Sequence, residues 1–255
     1  MAGIDPGLVS LDQYLLVAVT AFSAGIIGGI AGYGTGLLMP LVLVPIVGAE
    51  ALVPIIAVSA LVTNASRLVA FWKQLDGRKA LIVGIAALPT TYLTAWGYTR
   101  LTGPGAAIFI GSVLIALVVI RRMLKAMQLR LASDRALALA GVGYGAAAGG
   151  TAGAGVILLS ILMWAGLEGP AVIATDAAVS LLVGVVKAGT FLTFGALPLS
   201  SWIMALLIGA SAAPGAFIAK RIAERLTLRQ HTAILDAVVV LGGLVLIAQG
   251  LRGGR

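Results

Sequence analysis

The chain contains no cysteine and a single histidine, His231, in 255 residues. Disulfides, thiol nucleophiles and thiolate-ligated metals are thereby excluded, and a histidine-rich metal site is not expected. Charge is scarce as well: 10% of residues are Asp, Glu, Lys or Arg, whereas 60% are hydrophobic. A soluble domain carries about 25% charged residues, so the composition indicates an integral membrane protein with one membrane domain over residues 1–255. With no Cys, His pair or carboxylate cluster to build on, an enzyme is not expected. The N-terminus has no basic region and carries Asp5 and Asp12, so no cleavable signal peptide is read there. The formal charge of +8 would suit nucleic acid. Cytoplasmic loops of membrane proteins also collect Lys and Arg, and that reading is preferred; neither a nucleic-acid partner nor a cofactor is expected.

What the chain does have is a succession of apolar runs. Residues 50–72, 80–99, 105–120, 170–193, 200–219 and 232–251 read as spanning helices. Two longer stretches, 12–48 and 136–167, are interrupted by glycines. One helix over 12–48 would reach about 55 Å, against a hydrocarbon core of about 30 Å. Each stretch therefore reads as two helical pieces around a break. The breaks are Gly28-Gly29-Ile30-Ala31-Gly32-Tyr33-Gly34-Thr35-Gly36 and Gly149-Gly150-Thr151-Ala152-Gly153-Ala154-Gly155.

A shift of 121 positions superimposes the two breaks without a gap. The same shift brings Ala57-Val58-Ser59-Ala60-Leu61-Val62 onto Ala178-Val179-Ser180-Leu181-Leu182-Val183. The chain thus reads as two repeats, about 12–120 and 136–251, joined by a basic linker at 121–135. If each broken stretch turns back, as a re-entrant hairpin or paired half-helices, twelve loop cations fall on one face and three (Arg100, Arg252 and Arg255) on the other. A single crossing would divide them, against the positive-inside rule. The preferred arrangement is all-α: two inverted repeats, each a Gly-broken segment plus three spanning helices. Both termini then lie outside the cytoplasm. Inverted repeats with broken helices are a transporter plan, with the site near the midplane.

Unwound backbone inside a membrane must be buried in protein or line a polar cavity. The N-terminus of a half-helix presents free N–H groups suited to an anion. Gly32, Tyr33, Gly34, Thr35 and Gly36 are therefore candidate substrate contacts, as are Thr151, Gly153 and Gly155. Close helix packing is the competing explanation for the glycines. Ser59, Thr63, Ser66 and Arg67 share one helix face, with Asn64 beside them. Asp176, Ser180, Gly184 and Lys187 share another, with Thr175 beside them. Ser59 and Ser180 are repeat equivalents. Arg67 and Lys187 are candidate counter-charges for an anion, with snorkelling to the interface as the alternative. Asp176 and Thr175 are candidates for coupling or gating, with pairing to a cation as the other reading of Asp176. Glu50, Glu168 and His231 read as interfacial residues, and Tyr33 as either a plug or ordinary packing.

At these residues the sequence resembles the sulfite exporter TauE/SafE family of membrane permeases. The first copy, Gly32-Tyr33-Gly34-Thr35-Gly36-Leu37-Leu38-Met39-Pro40, is similar to that family's glycine-rich opening, with Thr35 in place of one glycine. The second copy, Gly153-Ala154-Gly155-Val156-Ile157, lacks the trailing glycines and the proline. The segment from Gly209 to Arg221 resembles the family's Gly/Ala-rich helix closing on a basic loop. The resemblance implies a plasma-membrane exporter of sulfur-containing anions such as sulfite or organosulfonates. Separately from the resemblance, the paired repeats imply alternating access, and Asp176 suits a coupling proton or ion. A passive anion channel, or a carrier of another small organic anion, is the alternative.

Overall fold

The computed structural model describes residues 9–32, 35–101, 133–227 and 230. The expected spans 105–120 and 232–251, most of the linker, and Tyr33, Gly34 and His231 lie outside the described residues. Within them the chain is all-helical: α1 (Leu11–Ala31), α2 (Thr35–Phe71), α3 (Gly77–Tyr98), α4 (Asp134–Gly149), α5 (Gly155–Trp164), α6 (Pro170–Thr193) and α7 (Leu199–Ala223). Five described segments are long and apolar enough to cross a membrane: Leu11–Ile30, Glu50–Gln74, Gly77–Tyr98, Pro170–Thr193 and Ser201–Ala223.

Local chemistry explains the boundaries. Ser10 opens α1 with a capping box: its hydroxyl accepts from the Gln13 N–H while its own N–H donates to Gln13 Oε1. Gly32 closes α1 at φ 85°, a left-handed conformation that costs a residue with a Cβ about 1–2 kcal/mol. The second piece of the first stretch is the start of α2, which bends at Gly48 (φ 78°). Gly169 (φ 53°) stands 121 positions after Gly48 and marks the corresponding bend before α6. The two stretches differ in length. At about 1.5 Å per residue, α1 is about 31 Å long, whereas α4 reaches about 24 Å and α5 about 15 Å.

The first helix of each stretch packs on a helix from the other half of the chain. Gly25 meets Ala212 and Gly29 meets Ala216 and Ala219, so α1 and α7 run in the same sense. Gly141 meets Val83, Gly145 meets Ala87, and Gly149 meets Thr91 and Ala95, so α3 and α4 also run together. Hydroxyls bridge that second seam: Thr90 Oγ1 donates to the Val142 carbonyl (2.8 Å) and Thr91 Oγ1 to the Gly145 carbonyl (3.3 Å). Without a hydrophobic drive inside lipid, such close backbone approach and interhelical hydrogen bonds hold the bundle.

Between the two seams lie α2 and α6, in opposite senses: Arg67 meets Asp176, Leu61 meets Gly184, and Val53 and Ala57 cluster with Phe191. Val62 packs on Gly209, which sets α7 alongside α2. Tyr98 Oη reaches the Glu50 carbonyl (3.5 Å), which brings the end of α3 to the bend of α2. One end of the bundle therefore collects the finish of α2, the starts of α3 and α4 and the finish of α7. Lys73, Arg78, Lys79, Arg135, Lys220, Arg221 and Arg225 belong to that end. Arg78 bonds Asp134 there (2.5 Å), and Phe71 clusters with Ala223. Glu50 and Arg100 belong to the other end, where α1 begins. At the basic end Asp76 caps α3, accepting from the Lys79 N–H (3.0 Å) and Nζ (2.6 Å). Partial burial would raise the Asp76 carboxyl, but these hydrogen bonds and the nearby Lys79 charge hold it below the usual carboxylate range.

Candidate functional site

The two breaks meet inside the bundle. Gly36, in the first turn of α2, lies against the Ala152 carbonyl, and Gly32 lies against the Leu159 side chain. Around this junction is a cavity of about 100 Å³. Its wall includes Gly32, Thr35 and Gly36 from the first break and Thr151, Ala152, Ala154 and Gly155 from the second. Helices α2 and α6 add Asn64, Arg67, Ser180, Gly184 and Lys187, and α4 adds Tyr144. A water needs roughly 10–15 Å³ measured this way, and drug-sized ligands occupy roughly 300–1,000 Å³ sites. The space suits several waters or one small ion.

Four helix ends converge on this cavity. Carbonyls at the ends of α1 and α4, where intrahelical partners run out, are each met by a buried cation, although the Gly28 and Ala148 carbonyls also accept backbone N–H groups. Arg67 Nη1 donates to the Gly28 carbonyl (3.3 Å) and to the Gly32 carbonyl. Lys187 Nζ donates to the Ala148 (2.8 Å) and Thr151 (2.6 Å) carbonyls. Each cation thus counters the negative end of a helix dipole. Both residues are 7% exposed, so neither snorkels to an interface. The opposite polarity comes from α2 and α5, whose first turns line the same space. No side chain caps α5: its N-cap residue is Ala154. The Ile157 and Leu158 N–H groups bond the Ala154 carbonyl, which among the described residues leaves those of Gly155 and Val156 for a ligand.

The two cations differ in their balance. Arg67 Nη2 stands 2.9 Å from Asp176 Oδ2 and also donates to the Asn64 amide oxygen. Among the described residues neither Asp176 oxygen has a well-directed hydrogen bond, and the carboxylate is held by the Arg67 charge. Among the described residues Lys187 bonds two carbonyls, and no carboxylate lies within 4 Å of it. An ammonium has three donors, so among the described residues one N–H of Lys187 has no protein acceptor.

The family model for "Sulfite exporter TauE/SafE" matches residues 17–246, nearly the whole chain. The chain belongs to the TauE/SafE family. No curated protein and no solved structure matches it. TauE/SafE proteins are membrane transporters, and the apolar helices described above agree with membership.

Of the residues singled out in the sequence, Gly32, Thr35, Gly36, Asn64, Arg67, Thr151, Gly155, Ser180 and Lys187 line the cavity of this TauE/SafE protein. Gly153 is buried next to the junction, within reach of Gly36. Ser59 does not line it. It is fully buried, and its hydroxyl turns back to the Ile56 carbonyl (3.1 Å), an intrahelical bond open to any serine in a helix. Thr175 lies away from the cavity, accepting the Asp76 N–H (3.2 Å). Asp176 sits behind Arg67, and Glu50 and Glu168 are exposed. Tyr144 was not singled out; it reaches the cavity beside Ser180. Its repeat equivalent is Ser23, so the 121-residue comparison carried no signal for it.

Proposed function

We propose that this chain is a secondary transporter that exports a small sulfur-containing anion, such as sulfite or an organosulfonate, across the plasma membrane. The observation that carries the proposal is the cavity itself. Two helix starts and the third donor of Lys187 converge on a space sized for one small ion. Ser180, Tyr144 and Asn64 add neutral polar groups for oxygen atoms. Family membership supports the sulfur chemistry and the direction of transport.

The opposed senses of α1 and α4, of α2 and α6, and of α3 and α7 support inverted repeats. The positive-inside rule sets the basic end toward the cytoplasm, with the start of α1 outside. Motion about the central cavity alternates its access. The reading assigns no chemical step to the protein. Reconstituted in proteoliposomes, the wild type moves sulfite or methanesulfonate down a gradient, and Lys187→Met abolishes that flux while eluting as the same monodisperse species. Undiminished flux through Lys187→Met sinks the site assignment.

A further inference from the structure

The charges around the cavity can be counted, and they point beyond "small anion" to its valence. Each helix start is equivalent to about +0.5 charge and each helix finish to about −0.5. Two starts (α2 and α5) and two finishes (α1 and α4) meet at the junction, so the dipole ends offset one another. The guanidinium of Arg67 is matched by the carboxylate of Asp176 at 2.9 Å. Asp176 itself is only 1% exposed, so water does little to screen this pair. Tyr144, Thr35, Asn64, Thr151 and Ser180, which also line the space, bring no formal charge. Among the described residues, what remains is the single positive charge of Lys187.

We propose that Asp176 is a specificity-determining residue: by cancelling Arg67 it leaves the cavity one net positive charge, so the site accepts monoanions and discriminates against dianions of the same shape. This inference rests on the anion-site reading above and adds the charge class of the ligand. Asp176 does not touch the ligand; it acts through Arg67. A monoanion entering the cavity neutralises Lys187. A dianion leaves a negative charge uncompensated in a water-poor interior, where a unit charge a few Å away is felt far more strongly than in water.

Perchlorate and sulfate form a matched pair, since both are tetrahedral oxyanions and they differ by one charge. Methanesulfonate is a second monoanion probe. Binding of each to the detergent-solubilised full chain is followed by calorimetry at constant ionic strength. The wild type is expected to bind both monoanions on the order of tenfold or more tighter than sulfate. Asp176→Asn frees the Arg67 charge and is expected to shift the sulfate-to-perchlorate preference toward sulfate by a comparable factor, whereas Asp176→Glu keeps the wild-type order. Removing one partner of a buried pair can destabilise a protein strongly, so Asn64→Asp provides a test that keeps Arg67 and Asp176 both in place and sets a second carboxylate against the Arg67 guanidinium. It adds a carboxylate to the cavity wall and is expected to weaken perchlorate binding by on the order of tenfold. Wild-type protein that binds sulfate as tightly as perchlorate overturns the inference while leaving an anion site standing. A folded Asp176→Asn protein with unchanged preference, or Asn64→Asp with unchanged perchlorate affinity, also overturns it. Failure of the wild type to bind any of the three overturns the anion-site reading itself.

Discussion

Gly36 is where one added methyl group should separate the two breaks. An alanine Cβ at this position would fall inside the van der Waals radius of the Ala152 carbonyl oxygen and stand 3.3 Å from its carbon. The obstacle is backbone, so no rotamer change relieves it. Restoring ordinary contact requires the breaks to part by on the order of 1 Å. Overpacking of this kind costs about 1–3 kcal/mol. The gain in helix propensity from Gly to Ala is about 0.5–1 kcal/mol in a helix interior, and smaller in a first turn, so the clash wins. Gly143→Ala provides the comparison, because nothing lies within 4 Å of a Cβ there and only the propensity gain remains. Thermal unfolding in detergent should show Gly36→Ala below the wild type and Gly143→Ala at or above it. Proteoliposome flux per folded protein should fall at least tenfold for Gly36→Ala and stay unchanged for Gly143→Ala. If Gly36→Ala matches Gly143→Ala in both assays, the breaks do not meet at this point.

Gly32→Ala should lower the unfolding temperature because it meets two penalties. These are the left-handed backbone at φ 85° and a Cβ placed 2.5 Å from a Leu159 methyl group; a loss on the order of 1–3 kcal/mol follows, and wild-type stability would contradict the φ assignment. Asp76→Asn tests the cap of α3 through pH. The native carboxyl is held below its ordinary range, so its stabilisation is complete above about pH 3.9 and is lost as pH falls through the lower native value. The unfolding-temperature gap between wild type and Asp76→Asn should be small but measurable at neutral pH, as for a partly exposed pair. The gap should close in acid; one that widens in acid would refute the sign.

Much of the membrane architecture was readable in the sequence because its physics is local. Spanning length, apolar composition and the positions where glycine interrupts both stretches need no knowledge of neighbours. The bends at Gly48 and Gly169 emerge only in the structure, and their 121-residue spacing matches the sequence repeat. The partners of Arg67 and Lys187 were not readable. Both cations bind backbone carbonyls, which every residue carries and no side-chain pattern advertises. The match of Arg67 with Asp176 was likewise hidden, since it joins residues 109 positions apart on different helices. Ser59 and Ser180 looked equivalent in the shift, yet one turns into its own helix and the other reaches the cavity. The lengths of α1 and α4 also diverge, although the glycines that end them align.

The crossed packing of α1 and α4 bears on how the protein is made. The glycine face of α4 finds Val83 and Ala87 on a helix that left the ribosome shortly before it. The glycine face of α1 must wait for Ala212, 187 positions behind Gly25. At roughly 5–20 residues per second that interval is on the order of ten to forty seconds. During it the small-residue stripe of α1 faces lipid or a chaperone rather than its eventual neighbour. Closure of the α1–α7 seam is therefore late, because its two glycine- and alanine-lined faces are separated by most of the described residues.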